Sequence, residues 1–280
     1  MITTTATVRG SFFKETMMRS GFRASKVVLA CVALLGGFRH AADAAELGSD
    51  VRQLIVSVAP SWNSNTGRLQ CFERAGDEWK PAGESWPVLY GKSGLVWGRG
   101  VLGTDEPGPH KRERDGRAPA GVFRIGKIYT DDAALPAGAK YPFRTISRGD
   151  AWIDDPTHPQ YNQHVVVDAA NPPAWFEKQK MRHGDFAYRW LVEIRHNSDP
   201  PVAGEGSAIF FHIRRGPARP SAGCTTMAES DLVKLIRWLR AEQKPHYALL
   251  PAAEYQAKWK AWGLPAPQAV AALLPRASSP

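Results

Sequence analysis

The 280 residues, 43% of them hydrophobic, can bury a sizeable core in one large or two modest domains. Twenty-two prolines, 25 glycines and ten tryptophans point to turns and short strands and away from a helical bundle. The formal charge of +9 comes without a basic helix, Cys/His zinc spacing or an aromatic-plus-glycine RNA motif, which argues against a nucleic-acid role.

The chain opens with the three-part pattern of a secretory leader. Arg19, Arg23 and Lys26 precede an apolar stretch, Val27 to Gly37, that is too short to cross a bilayer. Ala42-Asp-Ala44 offers a small-x-small cleavage site, so residues 1–44 are expected to be removed and the protein exported to the periplasm or cell wall. Met17 and Met18 are alternative starts. Val28-Leu-Ala-Cys31 superficially fits a lipoprotein box, but too few apolar residues precede the cysteine and too many come after it. Residues 1–44 carry six basic and two acidic side chains, so their loss takes the charge from +9 to +5. That excess favours an anionic surface or carboxylate-bearing ligands, and solubility alone explains it equally well.

Strands dominate the chain beyond residue 50. Gln53–Val58 and Arg68–Arg74 read as a pair joined by a turn holding Asn63, Asn65 and Gly67. Pro87–Tyr90, Gly121–Gly126 and His164–Asp168 are short candidates, and Tyr188–Arg195 alternates well. Ala208–Ile213 and His246–Leu250 complete the set. Leu232, Leu235, Ile236 and Leu239 mark an amphipathic helix over 227–242, and a second short helix is expected over 252–262. Leu102–Ala120 and Asp131–Tyr161 are long irregular stretches, which are uncommon unless functional. No repeat or linker divides residues 50–250. The expectation is one mainly β, β-rich α+β domain over 45–250, followed by a short helix and a poorly ordered Pro/Ala-rich tail over 251–280.

Chemistry concentrates at Phe211–Cys224. His212 closes an apolar strand, and a loop with Arg214, Arg215 and Arg219 leads to Ser221-Ala-Gly-Cys224. Thr226-Met-Ala-Glu229 has the Thr-x-x-Glu form of a capping box, which would set Cys224 just outside a helix N-terminus and favour its thiolate. His212 is then the proton acceptor and donor, and the N–H groups of Gly223 and Cys224 are the oxyanion donors. The arginines are candidate carboxylate binders and, equally, a solvated charged turn. Tyr161-Asn162 reads first as a turn and second as a lining of the site. The scattered His158, His164, His183 and His196 have no metal spacing, and no cofactor is expected. After leader removal only Cys71 and Cys224 remain. Cys71 reads as an inert strand thiol, and a disulfide between the two would remove the nucleophile.

His212 followed by Ser221-Ala-Gly-Cys224-Thr-Thr-Met227 resembles the active-site signature of L,D-transpeptidases (YkuD-like). Arg117-Ala-Pro-Ala-Gly-Val-Phe123 is similar to the family's Thr-Pro-x-Gly-x-Phe segment. Asp154-Asp155, Tyr161-Asn162 and Gly206–His212 resemble a bacterial branch, and the likeness covers roughly residues 85–250. Ala222 stands where the family usually has histidine, and Thr226 where it often has arginine. The resemblance implies a β-sandwich with the amphipathic helix after the cysteine, and a backbone carbonyl to orient the imidazole. It also implies a thioester on Cys224 drawn from peptidoglycan stem peptides, passed to an amine or to water as a carboxypeptidase. Two other readings are a wall-binding module without catalysis, and an exported thiol hydrolase that trims stems.

Overall fold

A computed structural model describes residues 46–274; the leader expected over 1–44, with its apolar stretch and cleavage site, lies outside them. In chain order the strands are β1 (Gln53–Ala59), β2 (Thr66–Ala75), β3 (Glu78–Pro81), β4 (Trp86–Leu89), β5 (Leu95–Trp97) and β6 (Ala118–Thr130). Next come β7 (Phe143–Thr145), β8 (Asp150–Trp152), β9 (His164–Val166), β10 (Trp190–Ile194), β11 (Phe210–Ile213), β12 (Thr225–Met227) and β13 (His246–Pro251). The helices are α1 (Phe176–Gln179), α2 (Glu229–Trp238) and α3 (Ala252–Lys258).

The mainly β class expected from composition is the observed one. The pairing runs β1-β13-β6-β10-β11-β12-β4-β2, and β2 also pairs with β1, so the main sheet closes into a barrel-like ring. Closure leaves no free edge in the ring. All seven residues of β1 are buried, because the inner face fills the barrel and the outer face is covered. Inside, the buried phenols find partners: Tyr90 with Ser57 at 2.6 Å and Tyr247 with Thr225 at 3.0 Å. The β6 strand is thirteen residues long, twice the stretch legible in the sequence. It can pass Leu102 because position 121 is glycine: a Cβ there would lie 2.6 Å from the Leu102 carbonyl oxygen, at φ +138°.

Two expectations need correction. The helix after the cysteine starts at Glu229, not Met227, with Ala228 as its extended N-cap and no side-chain cap. Thr225 and Thr226 are instead in β12, pairing in parallel with Phe211 and His212. The Thr226 hydroxyl points to the Leu89 carbonyl at 3.5 Å, so the Thr-x-x-Glu pattern does not form a capping box. At the other end, the Gln53 amide donates to the Trp238 carbonyl and its oxygen accepts from Arg240 N–H, which stops α2 at Trp238. The second correction concerns the C-terminal segment. Leu264, Val270 and Leu273 are buried in the main core, and Tyr255 donates to the Pro265 carbonyl at 2.7 Å. Apolar burial of this kind, about 1.5–3 kcal/mol for each large side chain, holds residues 264–273 against the barrel.

Candidate active site

The register of β11 against β12 builds the site. His212 lies opposite Thr226, and Cys224 precedes β12 by one residue, so by strand alternation His212, Thr226 and Cys224 face the same side. Phe211 and Thr225 face the other way, where both meet Tyr247. His212, Cys224 and Thr226 line one cleft of about 460 Å³.

The imidazole of His212 is 5% exposed. Its Nδ1 lies 2.9 Å from the Ile213 carbonyl oxygen. A carbonyl only accepts, so Nδ1 carries the proton, and in the neutral ring Nε2 is left with its lone pair. The edge-on ring of Tyr188, 4.9 Å away, covers one side. Burial lowers the ring's pKa to about 4, with the Arg215 charge adding to the effect against the Ile213 carbonyl.

Cys224 is a free thiol whose Sγ donates to the Ala208 carbonyl oxygen at 3.5 Å. Burial pushes its pKa up to about 11, partly offset by the Phe210 backbone and the Lys111 charge. The helix dipole is not available to it, since α2 starts five residues later. The expected placement at a helix N-terminus is therefore corrected: Cys224 precedes β12, and burial favours its neutral thiol as it favours the neutral imidazole of His212 on the same cleft. Cys71, also free, is buried in β2, where burial raises its thiol far above the usual range.

Ser221 shapes the turn before Cys224. Its hydroxyl donates to the Cys224 carbonyl at 2.5 Å and accepts from the Gly223 N–H at 3.0 Å. The Gly223 N–H expected to serve an oxyanion is thus engaged within the turn. Gly223 itself packs closely, since a Cβ there would lie 3.0 Å from the Arg117 carbonyl oxygen.

The other residues singled out in the sequence divide. Arg215, Arg219, Ser221 and Ala222 line the cleft, whereas Arg214 does not. Arg215 is pinned by Asp185 and stacks near Phe186 and Tyr188, 5.7 and 5.1 Å from their rings. Asn162 is not a cleft residue. Its amide donates to the carbonyls of His196 and Asn197, and its oxygen accepts from Trp152 Nε1 and Ala208 N–H. Tyr161 is buried and donates to Glu113, which does line the cleft.

The long irregular stretches wall this cleft. Residues 102–120 bring Lys111, Glu113 and Arg114 to it, and residues 131–161 bring Asp154. The second stretch is stapled by the fully buried Asp150, which accepts from Arg144, Ser147 and His164. Against burial, those donors hold its pKa down to about 2. Lys111 and Glu113 are not legible in the sequence as site residues, because nothing local distinguishes them; Asp154 enters only with Asp155, through the family resemblance. Among the described residues no group of three or more His, Cys, Asp or Glu could hold a metal ion, and no helix is long and apolar enough to cross a membrane.

The family model described as YkuD, L,D-transpeptidase catalytic domain, matches residues 65–247, which contain every element of the cleft. No curated protein matches the chain. Among solved structures, the crystal structure of the helical cell shape determining protein Pgp2 from Campylobacter jejuni aligns at 10% identity with a TM-score of 0.35. That alignment covers 71% of this chain and 48% of the other, so this chain spans about half the length of that protein.

Proposed function

Because the chain belongs to the YkuD family of L,D-transpeptidase catalytic domains, we propose that it is an exported cysteine acyl transferase of the periplasm or cell wall. Its substrates are peptidoglycan stem peptides. The observation that carries this reading is the joint placement of His212 and Cys224 on one cleft, with His212 Nδ1 tied to a carbonyl so that Nε2 can take a proton.

The chemistry starts from two neutral groups. As a substrate carbonyl carbon nears Sγ, the thiol proton passes to His212 Nε2 and the S–C bond forms. The carbonyl electron pair moves to oxygen, and the Cys224 N–H is the backbone donor retained for it. Collapse of the tetrahedral adduct breaks the C–N bond, and the imidazolium gives its proton to the departing amine. A thioester on Cys224 remains. An incoming amine, deprotonated by Nε2, attacks the thioester and regenerates the thiol. The cationic lining from Lys111, Arg114, Arg182, Arg215 and Arg219, against Glu113 and Asp154, suits a peptide that carries carboxylates. Ala222 and Thr226 leave nucleophile and base in place.

Incubation with disaccharide-tetrapeptides and then mass spectrometry of the products tests this reading. Cross-linked dimer and a released terminal D-amino acid, absent with C224A, are expected. Free tripeptide without dimer makes water the acceptor and the enzyme a hydrolase. Unchanged tetrapeptide overturns the proposal and favours a wall-binding module.

A further inference from the structure

Lys111 is 4% exposed, a rare state for a lysine, and it lines the cleft that holds Cys224. Its Nζ donates to Asp115 and, at 3.0 Å, to the Arg112 carbonyl. Asp115 is itself fixed by the N–H groups of Arg112 at 2.9 Å and Arg117 at 2.8 Å. The lysine backbone is anchored too, with Lys111 N–H on the Trp97 carbonyl at 2.7 Å. Two glycines make room for the side chain. A Cβ on Gly206 would lie 2.6 Å from Lys111 Cγ, and one on Gly223 would lie 3.7 Å from Lys111 Cε. The stem therefore runs past the residue that precedes the nucleophile, and one of three ammonium protons is left over from the Asp115 and Arg112 bonds.

A buried ammonium needs partners, and Lys111 has Asp115 and the Arg112 carbonyl. Its location matters for the reaction: negative charge develops on Sγ and then on the carbonyl oxygen during acylation, while the Gly223 N–H is occupied by Ser221. We propose that Lys111 is a positioning cation for this site, held by Asp115 and the two glycines so that its charge stabilises the anion formed at Cys224 and the subsequent oxyanion. The other ionisable groups around it are Asp115 and Glu113 of its own loop, His196 beyond β10, and Cys224. The inference rests on Cys224 being the nucleophile of the proposed reaction.

The test is the pH profile of Cys224 alkylation by iodoacetamide, read by intact-protein mass spectrometry on the folded protein. K111M keeps the length of the stem and removes the charge. Alkylation at pH 8 should slow about tenfold, with the profile displaced upward by about one pH unit. K111R should stay within about threefold of the parent. Should K111M fail to fold because Asp115 is stranded, K111M/D115N removes both charges and carries the same expectation. A folded K111M or K111M/D115N with the parent's profile overturns the proposal. A purely structural role would change the melting temperature and leave the profile alone. Iodoacetamide needs no peptidoglycan, so a shifted profile in a protein that makes no cross-links keeps Lys111 in this role and discards the transpeptidase reading. An unshifted profile with cross-linking intact does the reverse.

Discussion

The thiol of Cys224 donates to the carbonyl oxygen of Ala208, 3.5 Å away, and Ala208 is held in a left-handed conformation at φ 55°. A sulfur that donates is protonated. Ala208 keeps that unusual backbone because its N–H is bonded to Asn162 Oδ1 at 3.0 Å. Asn162, which the sequence suggests first as a turn residue and second as a lining of the site, is thus a support placed behind Cys224.

Replacing Asn162 with alanine should therefore act on stability and on the cysteine together. Four hydrogen bonds are lost: the Asn197 carbonyl loses the Asn162 amide, and the His196 carbonyl keeps only the Ser198 hydroxyl. We expect N162A to lose about 2–4 kcal/mol in urea denaturation. An unchanged midpoint would show that these bonds are not holding the segment.

Stability should fall as pH drops from about 6.5 to 4. The folded value of His212 is lowered to about 4 and that of His196 to about 3, against an ordinary 6.5. The unfolded chain then takes protons first, so acid favours unfolding. His212 alone accounts for about 3 kcal/mol across this window. Asp150 contributes in a lower window, since its folded value of about 2 lies below the ordinary 3.8. Glu193 opposes the trend, because burial raises its carboxyl and the folded state gains its proton early. Urea titrations at pH 7, 5.5 and 4.5 measure the sum. A flat response would contradict the buried, neutral state of both histidines.

The three loop arginines should separate by function. Arg219 lines the cleft, and Arg214 lies outside it. R219A is expected to raise KM several-fold with kcat little changed, the mark of a contact made equally in ground and transition states. R214A should leave both constants within about twofold. R215A should also lower thermal stability, because Asp185 loses its partner. Equal effects of R214A and R219A on KM would remove the assignment.

A histidine ending a hydrophobic run and a Gly-Cys turn are both local patterns, so His212 and Cys224, the proposed base and nucleophile, can be singled out in the sequence, and both line one cleft. Their surroundings were less legible. Thr226-x-x-Glu229 has the spacing of a capping box, yet parallel pairing of Thr225–Met227 with β11 takes these residues into the barrel. β-Branched residues suit that strand, and the Thr225 and Thr226 hydroxyls find Tyr247 and Leu89 instead of a helix end. Lys111 could not be selected at all. Its neighbours at Gly206 and Gly223 lie about a hundred positions away in the chain, and only closure of the barrel brings them beside it.

Acyl capture at Cys224 is tested most directly by intact-protein mass spectrometry after rapid quench with a tetrapeptide stem. A mass gain of the acyl tripeptide on Cys224 is expected, lost in C224A and formed at least about a hundredfold more slowly in H212A. A stem consumed at the parent's rate by C224A, or no adduct on a folded parent protein under reducing conditions, would contradict it.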